Sequence, residues 1–91
     1  MKNITEKINN WIIENGYDEE PILTADGFDE AFIGIGHQFN RPMAVYDTDK
    51  CFEIIMRNGL TEEEAREHFE FNVLGAYVGE YTPMFLNRFK E

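Results

Sequence analysis

The chain has 91 residues with 18 acidic against 8 basic side chains, a formal net charge of −10 at pH 7. This length predicts one domain, and the acidic balance argues against direct binding to nucleic acid or to an anionic membrane, because both depend on Lys and Arg. The single cysteine excludes an internal disulfide and a cysteine-rich zinc site. With no apolar run of about 20 residues and no signal-peptide pattern, we expect a cytoplasmic protein.

The N-terminal part predicts a helix followed by an acidic loop. Four apolar residues recur at helical spacing between positions 4 and 12, which predicts a helix over 3–15 that Gly16 closes. Residues 17–30 contain six acidic side chains and no basic one, and Pro21 and Gly27 are typical of a loop. The six loop acids are Asp18, Glu19, Glu20, Asp26, Asp29 and Glu30.

The middle of the chain predicts a β-hairpin over 31–46, because two short apolar runs flank a polar connection. Gly34 and Gly36 in the first run suit a strand that another backbone or a bulky ring approaches closely. This glycine pair lacks the third glycine and the following helix with a Lys that a phosphate-binding loop requires. The sequence therefore indicates no nucleotide or other cofactor.

Two helices and a last strand are predicted after the hairpin. A short apolar pattern predicts a helix over 48–57, and Thr61 with Glu64 forms a capping box that starts a helix over 62–78. Residues 83–87 predict a last strand that joins the hairpin. The order α-β-β-α-α-β describes a small α+β domain with a three-stranded, mainly antiparallel sheet packed against helices.

Several residues are candidates for chemistry. Asp47 and Asp49 follow an apolar strand, where Mg²⁺-dependent enzymes place carboxylates, but both also stand at a predicted helix start, and we favour capping over metal binding. With His37 they would centre a small metal-dependent phosphate-handling enzyme. Cys51 and His68 would form a nucleophile pair only if the fold brought them together, and we expect Cys51 to be a small core residue.

The acids of the last long helix carry more functional information. Glu63, Glu67 and Glu70 fall at i, i+4 and i+7, so an α-helix holds them in one stripe with about 5–6 Å between neighbours, similar to a track of phosphates. The alternative is a solvated face on which Glu62 and Arg66 form an ordinary i,i+4 pair. Together with the six loop acids, this acidic stripe favours a partner with a basic surface, which would relieve self-repulsion.

The aromatic residues are more numerous than a core of this size hides easily, with eight Phe, four Tyr and one Trp. Phe39 at the predicted hairpin tip, Tyr17 after a helix end, and Tyr77 and Tyr81 around Gly79 are hard to bury. Exposed rings beside acidic clusters indicate a protein-binding patch or a homodimer surface.

Four segments carry a family resemblance: 26–31 (DGFDEA), 33–36 (IGIG), 44–51 (AVYDTDKC) and 69–80 (FEFNVLGAYVGE). Over about two-thirds of its length, from 26 to 86, the chain resembles a family of small acidic proteins of unknown function found in bacteriophage and prophage genomes. The resemblance implies expression in a bacterial cytoplasm and carries no catalytic or binding residues with it.

The sequence as a whole favours a non-enzymatic binding protein that engages a basic host or defence protein, as a nucleic-acid mimic of the anti-restriction or anti-CRISPR kind. The alternatives are the metal-dependent enzyme at Asp47 and Asp49 and a homodimeric structural or accessory protein. The predicted partner-binding residues are the acidic stripe, the six loop acids, Phe39, Tyr77 and Tyr81.

Overall fold

One helix precedes the β-hairpin in the chain and two helices follow it, and a short third strand completes the sheet. The computed structural model describes residues 3–90, which fold in the order α1 (Ile4–Glu14), β1 (Phe32–Gln38), β2 (Arg41–Asp47), α2 (Thr48–Met56), α3 (Glu62–Phe69) and β3 (Met84–Leu86). The sheet order is β1-β2-β3, with β1 antiparallel and β3 parallel to the central β2. A parallel pair needs a crossover, which α2 and α3 provide. The α+β class is confirmed; the sheet is mixed, and its longer ladder is antiparallel.

Most element bounds agree with the sequence prediction to within one residue. The segment over 17–30 is irregular as predicted, apart from one 3₁₀ turn over Asp29–Ala31. No helix within residues 3–90 is long and apolar enough to cross a membrane.

Side chains close in sequence cap the start of all three helices. The Oδ1 atom of Asn3 accepts from the amide of Glu6 at 2.9 Å, and Oδ1 of Asp47 accepts from the amides two and three residues later, at 3.0 and 3.4 Å. The predicted capping box is present, since the Thr61 hydroxyl and the Glu64 carboxylate each accept from the other residue's amide, at 3.2 and 2.9 Å. These bonds satisfy amides that no helical carbonyl reaches.

The predicted helix over 62–78 ends early. α3 stops at Phe69 and continues as one π-helical turn over Glu70–Leu74, after which the chain leaves the helix. The amide of Gly75 donates to the carbonyl of Glu70, five residues back, at 3.2 Å. A Cβ at Gly75 would lie 3.1 Å from that carbonyl oxygen, so glycine permits the wide turn. The prediction of a helix to residue 78 is wrong, because apolar periodicity does not register a change in hydrogen-bond spacing.

The main buried cluster lies on one face of β2, against α2 and α3. Ala44 and Tyr46 are two positions apart in β2, so they lie on the same face of the strand, and both are completely buried. Cys51 and Ile55 from α2 and Phe69 from α3 are buried in the same cluster. Burying each large side chain of this kind contributes about 1.5–3 kcal/mol.

A row of aromatic rings ties the sheet to the helices. Neighbouring ring centroids lie between 5.1 and 5.8 Å apart, and most pairs meet edge to face. Each such pair adds about 0.5–1.5 kcal/mol beyond the burial of its area. From β1 to α2 the row is Phe32, Tyr46, Phe85, Phe69 and Phe52.

The segment 17–30 covers part of this core. Ile22, Ala25 and Phe28 pack against the buried cluster, and the amide of Ala25 donates to Oη of Tyr46 at 2.8 Å. Burial raises the pKa of the Tyr46 hydroxyl above its ordinary value, so the group stays neutral. The acidic segment is therefore anchored by its apolar residues.

Two glycines of β1 stand where neighbours come close, as the sequence predicts. Cη2 of Trp11 lies 3.8 Å from the place that a Cβ would occupy at Gly34. A Cβ at Gly36 would lie only 2.8 Å from Cγ2 of Val45 on β2, and a β-branched neighbour has little freedom to turn away. Position 36 therefore requires glycine.

Replacing Tyr46 by phenylalanine is expected to lower the free energy of unfolding by about 1–2 kcal/mol, because the half-buried amide of Ala25 loses its acceptor. Urea denaturation followed by circular dichroism measures the loss. Tyr81→Phe is the matched control, since its hydroxyl meets Glu20 at 3.4 Å on the surface and should contribute less than about 0.5 kcal/mol. A loss in Tyr46→Phe no larger than the roughly 0.5 kcal/mol expected of the control would mean that the Ala25–Tyr46 hydrogen bond adds no more stability than a surface contact.

Candidate binding surface

The acidic stripe lies on the solvent side of α3. Ala65 and Phe69 of this helix are buried in the core. With a turn of about 100° per residue, Glu63, Glu67 and Glu70 lie on the opposite side, and all three are exposed. Glu70 keeps α-helical backbone angles, with φ −63° and ψ −42°, so the i, i+4, i+7 arrangement holds over the whole stripe.

The cations near the stripe do not neutralise it. Within residues 3–90, every Lys and Arg except Lys7 lies within 4 Å of a carboxylate, and none of these carboxylates belongs to the stripe. Arg66 is the nearest in sequence; it pairs with Glu62 at 3.5 Å as predicted, and its guanidinium lies over the ring of Phe52. The pairs are Arg41–Glu80, Lys50–Glu53, Arg57–Glu30, Arg66–Glu62, Arg88–Asp47 and Lys90–Asp49.

An exposed apolar segment follows the stripe directly. Phe71 is 80% exposed and Tyr77 is 76% exposed. Leu74, which lies between them in the chain, and Val78, which follows Tyr77, are also exposed. We call these four residues the apolar segment. Of these four residues, the sequence prediction named only Tyr77 as exposed. Phe71 and Leu74 could also have been identified, because they do not fall at helical spacing from the core residue Phe69.

The six loop acids do not act as one cluster. Asp29 accepts a hydrogen bond from the Thr5 hydroxyl, Glu30 pairs with Arg57 at 2.9 Å, and Glu20 accepts from Tyr81. The other three, Asp18, Glu19 and Asp26, are exposed and have no basic partner among residues 3–90.

Asp26 lies beside the π-helical turn that follows α3. It lines one groove with Asn72 and Val73, and Val73 packs against the core. Asp26 therefore lies on the core side of this helical segment, whereas the acidic stripe lies on the opposite side.

The four candidate rings differ in exposure. Phe39, the first residue of the two-residue hairpin turn, is 96% exposed and has φ +58°, and Tyr77 belongs to the apolar segment. Tyr17 and Tyr81 are half-buried, and each hydroxyl has a side-chain partner: Oη of Tyr17 lies 3.2 Å from Nε2 of His37, and Oη of Tyr81 donates to Glu20 at 3.4 Å. The last two rings are thus engaged within the chain.

The structure separates the residues of the metal-dependent alternative. Asp47 caps α2, as predicted, and also pairs with Arg88 at 3.0 Å, while Asp49 pairs with Lys90 at 2.8 Å. His37 lies opposite Pro42, at the other end of β2 and about 16 Å from Asp47 at the usual strand rise. Within residues 3–90 no three His, Cys, Asp or Glu side chains are grouped closely enough to hold a metal ion.

Cys51 is a core residue, as predicted. It is completely buried, and burial together with the charge of Asp47 raises the pKa of its thiol to about 12. Thiolate is the nucleophilic form, so the folded chain holds this cysteine in its unreactive state at neutral pH. His68 is exposed and faces the side-chain amide of Asn72 at 3.4 Å.

Comparisons with protein-family models, with curated proteins and with solved structures found no match to this chain.

Phe39→Gly is expected to raise the free energy of unfolding by about 0.5–1 kcal/mol, because glycine adopts a positive φ without strain and the ring has almost no contacts to lose. Urea denaturation measures the gain. Phe89→Gly is the matched control, since Phe89 is 90% exposed without a positive φ and should give no gain. A loss of stability in Phe39→Gly would mean that the ring supports the fold.

Ellman's reagent is expected to label Cys51 in the folded chain no faster than the chain unfolds, whereas the urea-unfolded chain reacts at once. Because the thiol pKa rises from 9.0 to about 12 on folding, the unfolded chain loses this proton first as pH rises. The free energy of unfolding therefore falls between about pH 9 and pH 12, because the Cys51 thiol ionises in the unfolded chain and not in the folded one. Rapid labelling of the folded chain at pH 8 would contradict the buried placement.

Proposed function

We propose that this chain is a non-enzymatic binding protein that engages a basic surface of a protein partner through the acidic stripe and the apolar segment beside it. One observation carries the proposal. The stripe carboxylates point away from the core, have no cationic partner among residues 3–90, and run directly into exposed Phe71 and Tyr77. Apolar surface of this kind marks interaction sites more often than ordinary solvated surface.

The two parts of this surface would contribute differently to binding. Carboxylates held about 5–6 Å apart repel one another, and a basic partner converts that repulsion into attraction that speeds association and selects the partner. Desolvated aromatic side chains at the centre of an interface usually dominate the lifetime of the complex. Phe71 and Tyr77 are placed for that role.

The kind of partner follows from the charge pattern. Glu63, Glu67 and Glu70 rise along the helix by about 4.5–6 Å from one to the next, a regular row of like charges that is sparser than the roughly 3.4 Å axial spacing of phosphates along one nucleic-acid strand. Proteins that bind nucleic acid present complementary basic surfaces. We propose that the partner is a host or defence protein with such a surface, and that this chain acts as a nucleic-acid mimic that occupies it.

A homodimer is less favoured as the use of this surface. In a symmetric dimer the same patch meets itself, which would bring the two acidic stripes together. With a net charge of −10 on each copy, that contact would be repulsive.

Capture from a bacterial lysate at low salt, followed by purification of the captured protein and calorimetric titration, tests the proposal. We expect the Glu63→Gln, Glu67→Gln, Glu70→Gln variant to bind the partner at least tenfold more weakly and to lose most of the salt dependence. Gln is a good helix former, so circular dichroism should remain unchanged.

The matched control removes the same kind of charge elsewhere. Asp18→Asn with Glu19→Gln alters two exposed acids of the 17–30 segment and should leave the affinity within about twofold. Equal weakening in both variants would mean that only total charge matters, and unchanged binding in the stripe variant would make the stripe a solvated face.

A further inference from the structure

A groove lies between the segment before β1 and the segment that leads into β3, and its cavity volume is about 200 Å³. Its floor includes the half-buried side chains of Phe28, Val73 and Phe85, all of which pack against the core. Asp26 and Asn72 are exposed and line its rim. The floor is thus apolar and supported by the core, and the rim is polar.

The size of the groove restricts its occupant. Sites for drug-sized ligands and cofactors enclose about 300–1,000 Å³, more than this groove provides. One long side chain from a partner protein matches the volume better.

The rim offers hydrogen-bond acceptors. The carboxylate of Asp26 belongs to no ion pair within residues 3–90. The amide nitrogen of Asn72 faces Nδ1 of His68 at 3.4 Å, which leaves its Oδ1 as an acceptor. The hydroxyl of Thr82, also at the groove, already donates to a backbone carbonyl at 2.6 Å and accepts from a backbone amide at 3.0 Å. The complementary group is therefore a cation rich in donors.

We propose that this groove receives an arginine side chain of the basic partner, with its methylenes against Phe28, Val73 and Phe85 and its guanidinium donating to Asp26 and Asn72. A guanidinium is planar, carries five N–H donors and is more weakly hydrated than an ammonium, so it suits a carboxylate at the edge of an apolar floor better than lysine does. This inference rests on the proposed function and adds one specific contact to it.

Titration of the ¹⁵N-labelled chain with the peptide Ac-Gly-Gly-Arg-Gly-Gly-NH₂, followed by NMR, tests this contact. We expect saturable shifts at the amides of Asp26 and of residues 72–76. The same peptide with citrulline, which is neutral and of similar shape, should bind at least fivefold more weakly, as should a norleucine peptide.

Variants of the groove make the test specific. Asp26→Asn should weaken the arginine peptide at least fivefold, while Glu14→Gln, which changes an exposed acid of α1 outside the groove, should leave binding unchanged. Ala76→Met on the rim should fill the groove, and Thr24→Lys should place a competing cation beside it. Both positions are exposed, so folding should be preserved.

Equal binding of the arginine and citrulline peptides, or no binding of the arginine peptide, would overturn the inference. Shifts confined to residues 62–70 would also overturn it, and the acidic stripe would then be the sole cation-binding surface. The proposed function has its own test in the stripe variant, so the two can fail separately.

Discussion

The burial of Tyr46 is the constraint on which most of the structure depends. Its ring lies between Phe32 of β1 and Phe85 of β3, with centroids 5.7 and 5.8 Å away, so one side chain joins all three strands. Its hydroxyl accepts from the amide of Ala25 and holds the 17–30 segment over the core. A polar group at this depth is stable only with a partner, so the sheet and the segment that covers it depend on the same residue.

Most basic side chains of the described residues are paired with acids, and this pairing determines which acids stay unpaired. Asp47 caps α2 and Glu64 belongs to the capping box of α3, and nearly all the described cations are paired with acids close to them in space. Such exposed pairs contribute little to stability, with a median of about 0–1 kcal/mol. Because these cations are paired with other acids, Glu63, Glu67 and Glu70 on the solvent side of α3 have no ion-pair partner among residues 3–90.

The π-helical turn after α3 determines which residues of this segment face the core and which face solvent. Up to Phe69 the helix buries one face, but the wide turn over Glu70–Leu74 ends that regular pattern, and Phe71 and Tyr77 face solvent. The same turn keeps Val73 against the core, where it forms part of the floor of the groove beside Asp26. One short segment thereby connects the acidic stripe, the exposed rings and the groove, and π-helical turns are often found at functional sites.

Local sequence patterns predict α1, α2, the hairpin, the start of α3 with its capping box at Thr61, and the exposed, helical placement of Glu63, Glu67 and Glu70, because each depends on residues within a few positions of one another. They also identified Asp47 as a cap and Cys51 as a core residue. Four features became visible in the folded chain alone: β3 is parallel to β2, α3 ends at Phe69, Glu20, Asp29 and Glu30 have partners within the chain, and Asp26 and Asn72 line one groove. Apart from the end of α3, which is a local change in hydrogen-bond spacing permitted by Gly75, these features depend on contacts between residues far apart in the chain, and such contacts leave no signal in local periodicity or propensity.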